Sequence, residues 1–138
     1  MLIEVDRYCF VCGPENPEGL KATFTCEGGQ SSGRYFAREE HQGYTGVSHG
    51  GVLAALLDEA MVYAAVSLGK WVATAEMTVR YVQPAPTGGW LNLTASVVDH
   101  RRTLVQCSAE ARTDEGELIA SATGKLMQGR ELTEAERR

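Results

Sequence analysis

The longest apolar run in the chain follows a polar, glycine-rich entry. Ser48-His49-Gly50-Gly51 leads into Val52-Leu53-Ala54-Ala55-Leu56-Leu57, and the run continues through Asp58-Glu59-Ala60-Met61 to Leu68. This pattern predicts a helix over 50–68, capped by Ser48 or His49 and stopped by Gly69. It is apolar nearly all round, the pattern of a buried helix. Ala54, Ala55, Ala60, Ala64 and Ala65 keep it thin, so another element can approach closely.

Around this segment the pattern changes to period two. Lys21 to Cys26 and Ser32 to Ala37 read as two strands joined at Glu27-Gly28-Gly29-Gln30. After the helix come four more runs: Val72–Val82, Trp90–Asp99, Thr103–Thr113 and Leu118–Met127. In the first, Ala73, Ala75, Met77, Val79 and Tyr81 alternate with Thr74, Glu76, Thr78 and Arg80. In the next two, Leu91, Leu93, Ala95 and Val97, then Val105, Cys107, Ala109 and Ala111, each form one face. The order is two strands, one long helix and four strands in a meander. An antiparallel sheet of about six strands wrapped around one central helix is the α+β solution for this order.

Composition narrows the setting. A chain of 138 residues suits one domain, here 1–138, with an irregular segment over 1–20 and a polar tail over 129–138. Thr133 and Glu136 could cap a helical turn in that tail. The net charge of −5 without a basic block argues against nucleic acid. No apolar run reaches the roughly 20 residues of a bilayer span, and the N-terminus lacks a signal-peptide pattern, so a cytoplasmic protein without membrane association is expected. The four cysteines then read as thiols. Cys9 and Cys12 have the spacing of half a zinc site, but no second CxxC or His pair follows. Completing one would take Cys26 or a second subunit. The expectation is buried thiols pinning the N-terminal segment, with no metal and no cofactor.

Several residues together resemble a known family, the hotdog-fold thioesterases of the PaaI-like (phenylacetic-acid-degradation) type. They are His49-Gly50-Gly51, Asp58 nine positions after the His, Thr74, Arg80-Tyr81-Val82-Gln83-Pro84-Ala85-Pro86, and the run from Gly116 through Ala120-Ser121-Ala122-Thr123-Gly124. The Cys9-Phe10-Val11-Cys12-Gly13 opening, with Asn16-Pro17 and Gly19-Leu20, occurs in one branch of such proteins. The resemblance implies a hotdog fold and hydrolysis of acyl-CoA thioesters by a homodimer or a dimer of dimers.

Thioester hydrolysis needs donors aimed at the carbonyl oxygen and a base or nucleophile at the carbon. A helix start offers free N–H groups, and Gly50 and Gly51 leave them unobstructed. By analogy, the Gly50 N–H is the oxyanion donor and Gly51 borders the substrate. Composition does not separate Asp58 from Glu59; the family spacing selects Asp58, and apolar neighbours should raise its basicity. The resemblance gives His49 a role in orienting the substrate. It gives Thr74 a role in holding the attacking water, although strict alternation sets Thr74 on the face opposite Met77 and Val79. His41 and Gln42 are candidates to line the acyl pocket, and Arg80, Arg101, Arg102 and Lys70 to meet CoA phosphates.

Geometry adds an expectation about assembly. Gly50 and Asp58 lie eight residues apart on one helix, or roughly 12 Å along its axis at ~1.5 Å per residue. One helix cannot bring both to one carbonyl, whereas two antiparallel copies related by a twofold axis can. Two other readings keep the fold. A non-catalytic acyl-CoA-binding protein would tolerate loss of Asp58. A hydroxyacyl-thioester dehydratase would use His41 with a carboxylate on the early helix, where this chain has Val52, Leu53 and Leu56.

Overall fold

The predicted central segment folds as α1, Gly50–Val66, in a computed structural model that describes residues 6–137. His49 is the N-cap: its backbone is extended and its ring nitrogen accepts from the Gly51 N–H. The helix ends at Val66, two residues short of the predicted end at 68. Ser67 Oγ donates to the Ala64 carbonyl at 2.6 Å, and Gly69 turns the chain with a φ of +108°, which a glycine adopts without strain.

Six strands form one antiparallel sheet around α1: β1 (Thr23–Glu27), β2 (Gln30–Phe36), β3 (Lys70–Tyr81), β4 (Trp90–Arg101), β5 (Leu104–Thr113) and β6 (Leu118–Glu131). The inward residues are those the alternation selected: Leu91, Leu93 and Ala95 on β4, and Val105, Cys107, Ala109 and Ala111 on β5, are all buried. Many are small, so a helix fits into the curve of the sheet. Gly124 gives room to Met61, since a Cβ there would lie 3.0 Å from Met61 Cε. Phe24 stacks on Tyr63 with ring centroids 4.9 Å apart and closes the β1 end of the core.

The strand order is β1-β2-β4-β5-β6-β3, which corrects the expected four-strand meander. Only β4, β5 and β6 follow one another, and β3 crosses to the far edge beside β6. The connection after β3 explains the crossing. It runs along the loop that precedes α1, with a Val47–Pro86 bridge and Ser48 N–H donating to Ala85 O at 2.8 Å. It then meets the end of β2, where Gly88 N–H donates to Ala37 O at 2.7 Å. The chain is thereby delivered beside β2, and β3 is left as an edge strand.

A second correction concerns β3 itself. Its register with β6 slips between Thr74 and Glu76, where Thr74 pairs with Leu126 and Glu76 with Lys125. Ala75 is the extra residue of a β-bulge. Because side chains alternate with period two, one extra residue moves Thr74 onto the face of Met77 and Val79, toward α1. Residues 129–137 also hold more regular structure than a polar tail suggests. Gly129, Arg130 and Glu131 belong to β6. The Thr133–Glu136 capping box forms around a short 3-10 turn, and Trp71 Nε1 donates to Glu136 at 3.0 Å.

Residues 6–22, before β1, consist of turns, as expected, and pack against α1 through Cys9 and Cys12. No disulfide links the four cysteines among the described residues. No helix among the described residues is long and apolar enough to cross a membrane.

Candidate active site

The start of α1 is held by two aromatic rings, one beside each glycine. Tyr81, the last residue of β3, donates from its phenol to the Gly50 carbonyl at 2.8 Å. A Cβ on Gly50 would lie 3.4 Å from that ring. The His49 ring folds over the first turn so that Nδ1 accepts from Gly51 N–H at 2.8 Å. A Cβ on Gly51 would press to 3.0 Å from that nitrogen.

These bonds decide which donor is left over. The Gly51 N–H is taken by His49 Nδ1, and the N–H groups of Val52 and Leu53 both reach the His49 carbonyl. Among the described residues, the Gly50 N–H alone of this first turn has no acceptor. Capping also fixes the tautomer of neutral His49: with Nδ1 accepting, the proton sits on Nε2. A cavity of about 680 Å³ opens over this helix start, bordered by His49, Gly50, Leu53, Tyr81, Val82 and Ala85.

Eight residues along α1, Asp58 accepts a hydrogen bond from the Thr74 hydroxyl at 2.6 Å. The bulge in β3 makes this possible by turning Thr74 toward the helix. The pair sits on a helix stripe that the protein's own sheet does not cover. Gly51 is exposed, and Ala54, Ala55, Asp58 and Val62 are half-buried, whereas Leu53, Leu56, Leu57, Ala60 and Met61 are buried. Asp58 therefore lacks, within one chain, the full desolvation expected of it. Glu59, one position on, faces elsewhere and is buried.

Other predicted residues do not join this group. His41 lies in a 3-10 turn, Glu39–His41, with Nδ1 2.8 Å from Tyr35 Oη and Nε2 3.0 Å from an Arg38 nitrogen. Both ring nitrogens are engaged, and burial, with Arg38 beside it, holds its pKa below the ordinary histidine value. Its carbonyl instead anchors the His49 N–H at 3.0 Å. Gln42 accepts from Gly46 N–H within its own loop. Neither residue borders the cavity. Arg80 points to the outer face of the sheet, beside Thr78, Ser108 and Ser121. Arg102 forms the β4–β5 turn with a φ of +57°. Leu104 pairs through Met127 to Ala73, eight strand residues from Tyr81, so Arg102 lies roughly 25 Å from the helix start. Arg101 pairs with Asp99 at 3.3 Å, and Lys70 opens β3.

Two residues given no role from sequence belong to the site. Tyr81 locks the Gly50 peptide; it stood within the recognised motif, but nothing in its spacing announced a bond to the helix. Ser48, weighed only as a cap, borders the cavity, is 4% exposed, and its Oγ has no hydrogen-bond partner.

Solved structures share this architecture. A thioesterase superfamily protein is 30% identical, with a TM-score of 0.82 over 88% of this chain and 60% of its own. The Escherichia coli PaaI protein from the phenylacetic acid degradation operon is 22% identical, with a TM-score of 0.78 over 83% of this chain and 84% of its own. A Streptococcus mutans protein crystallised with acetyl-CoA is 19% identical, with a TM-score of 0.76 over 80% of this chain and 92% of its own. No curated protein matches the chain. The sequence profile of the thioesterase superfamily matches residues 45–120, from the loop before α1 into β6. The fold is the hotdog fold, and the chain belongs to the thioesterase superfamily.

Proposed function

We propose that the protein hydrolyses acyl-CoA thioesters as a homodimer in which each site takes Gly50 from one subunit and Asp58 from the other. The observation that carries this is the short Thr74–Asp58 hydrogen bond on the uncovered stripe of α1. A carboxylate oriented by a hydroxyl, but left half-open, is suited to a reacting centre brought from outside its own chain. The Gly50 N–H is the complementary part: a donor without an acceptor beside a cavity.

The uncovered stripe and the edge strand β3 are neighbours, and both favour a second copy. Edge strands present unpaired backbone groups to a partner. The stripe of Gly51, Ala54, Ala55, Asp58 and Val62 is small-residued enough for close helix approach. Twofold symmetry would bring Asp58 of one subunit toward Gly50 of the other, twice. Burial there would complete the desolvation of Asp58. Gly50 N–H, with His49 Nε2–H beside it, would polarise the thioester carbonyl. Asp58, steadied by Thr74, would activate water or attack the carbon directly. The Streptococcus mutans protein crystallised with acetyl-CoA supports a CoA thioester as the ligand class. The engaged ring of His41 disfavours the dehydratase reading.

The test is a thiol-release screen across short, medium, long and aryl acyl-CoAs, repeated with two variants. Asp58→Asn should lose about 10²–10⁴ in kcat while still binding CoA esters. Gly50→Pro removes the N–H and sets ring carbons in its place: the first helical position accepts proline, and His49 already has the extended backbone, φ −61° and ψ 135°, that precedes one. An isolated hybrid dimer of the two inactive variants has one intact site, so it should recover about half of wild-type turnover. A hybrid as inactive as its parents overturns the shared site. Binding without hydrolysis of any ester makes the protein a non-catalytic acyl-CoA binder.

A further inference from the structure

The chemistry proposed at Gly50 and Asp58 leaves one cluster unused, in which a buried carboxylate meets two half-buried thiols. Glu59 is 8% exposed on the side of α1 covered by the N-terminal loop. Among the described residues, no Lys, Arg or His makes an ion pair with it. What faces it instead is a pair of thiols. Cys9 Sγ donates to Glu59 Oε2 at 3.1 Å, and Tyr63 Oη, on the next turn of α1, donates to Cys12 Sγ at 3.2 Å. A thiol is a weak donor, and a buried carboxylate with no cation near it is poorly compensated.

The loop is built to hold the two thiols there. Gly13 has no room for a side chain: a Cβ would lie 2.3 Å from the Cys9 nitrogen. Its N–H closes the turn on the Cys9 carbonyl at 2.9 Å, and Leu20 and Ala22 donate to the Phe10 and Val11 carbonyls at 2.8 and 2.9 Å. One ligand atom from each of Cys9, Cys12 and Glu59 lies within 4.8 Å of the others. Donors bonded to one tetrahedral zinc ion, at about 2.3 Å for sulfur and about 2.0–2.2 Å for oxygen, sit closer than that limit, so small movements converge them. Thiolates with a carboxylate suit a borderline-soft divalent ion and not calcium or magnesium.

We propose that Cys9, Cys12 and Glu59 bind one divalent cation of the zinc class and thereby fasten the N-terminal loop to the middle of α1. Both thiols release their protons to solvent on binding, Glu59 coordinates as the carboxylate, and the fourth position is filled by water or the adjacent Tyr63 hydroxyl. The motif that looked like half a zinc site is completed by a helix carboxylate, not by a second cysteine pair.

The full chain, purified without a metal-binding tag under reducing conditions, should carry about one zinc per subunit by elemental analysis, or take one up from a zinc–dye competitor. Cobalt(II) added to chelator-treated protein should give a thiolate-to-metal charge-transfer band and intense tetrahedral d–d bands. Cys9→Ser and Cys12→Ser should abolish the charge-transfer intensity in steps. Glu59→Gln should weaken zinc by more than about 10-fold, because even outer-shell partners of metal sites cost 10–100-fold. If a variant does not fold, the wild-type cobalt spectrum and zinc protection of the two thiols from alkylation still decide the matter. Reduced wild-type protein that binds neither ion overturns the site. An unchanged affinity in folded Glu59→Gln overturns the three-ligand assignment.

Discussion

Asp58 and Glu59 are adjacent carboxylates on one helix, yet their surroundings share almost nothing. Successive residues on an α-helix point about 100° apart, so each meets a different neighbour. Asp58 faces the bulged edge strand β3 and a single hydroxyl, half-open to solvent. Glu59 faces the cysteine loop and is closed off from water. Burial, and Glu59 after it, push the Cys12 thiol well above the ordinary thiol range. The difference shows that the setting of each carboxylate on this helix follows from what covers its side, not from residue type. An uncovered carboxylate is available to a partner and a substrate; a covered one can only be neutralised where it stands.

The sharpest way to break this comparison is to neutralise each carboxylate in turn. Asp58→Asn should abolish turnover, by about 10²–10⁴, with a melting temperature close to wild type, since among the described residues its hydrogen-bond partner is one hydroxyl, which an amide oxygen can still accept from. Glu59→Gln should act mainly on stability. Disturbing a buried polar cluster costs about 1–3 kcal/mol, or a drop of several degrees in a chain of this size. If Glu59→Gln lost activity as steeply as Asp58→Asn while remaining folded, the division of roles between the two sides would be wrong.

Next in size is Thr74. Thr74→Val keeps the shape and removes the donor to Asp58. A hydrogen bond to a charged group is worth about 1.5–3 kcal/mol, so kcat should fall about 10- to 100-fold, and Thr74→Ser should restore most of it. Equal turnover in Thr74→Val and wild type would mean that the 2.6 Å bond only closes the edge of the sheet. A smaller effect is expected from Tyr81→Phe, which releases the Gly50 carbonyl. About 0.5–1.5 kcal/mol of stability should be lost, with a few-fold loss in kcat/KM as the first turn loosens. Activity unchanged in Tyr81→Phe would show that the His49 cap alone sets the direction of the Gly50 N–H.

Thr74 also shows where sequence reading stopped. The strands, their inward faces and the central helix were legible because burial imposes periods of two and 3.6 on side chains. A bulge breaks that period without a mark in composition: Ala75 looks like any strand alanine, and only pairing with β6 reveals the extra residue. The crossing of β3 to the far edge was hidden for a related reason. Alternation says which face a strand buries, not which strand it pairs with. His49 and Gly50 were visible as a helix entry, but the engagement of His41 depends on Tyr35 and Arg38, brought together by a loop with no periodic signal. The family spacing selects Asp58 and is silent on Glu59, whose thiol partner lies about fifty residues earlier, beyond any local spacing rule.

The smallest expected effect concerns the loop that sets the start of α1. His41 is held neutral between Tyr35 and Arg38, and burial together with the Arg38 charge lowers its pKa from 6.5. As pH falls, the unfolded chain therefore takes up a proton at this residue before the folded one does. Stability from neutral His41 is fully present above pH 6.5 and is lost as pH falls through the depressed native value. Because the His41 carbonyl holds the His49 N–H at 3.0 Å, the loss should appear first as faster amide exchange at His49 and in the first turn of α1. Melting curves and amide exchange of wild type and His41→Gln from about pH 7.5 to about pH 5 isolate the contribution. Wild type should lose stability more steeply than the variant, while exchange in the helix turn around Asp58 stays level in both. Parallel slopes would mean that Tyr35 and Arg38 adapt to the imidazolium, and that the loop positions Gly50 through the Tyr81 bond and the His49 cap without depending on the charge of His41.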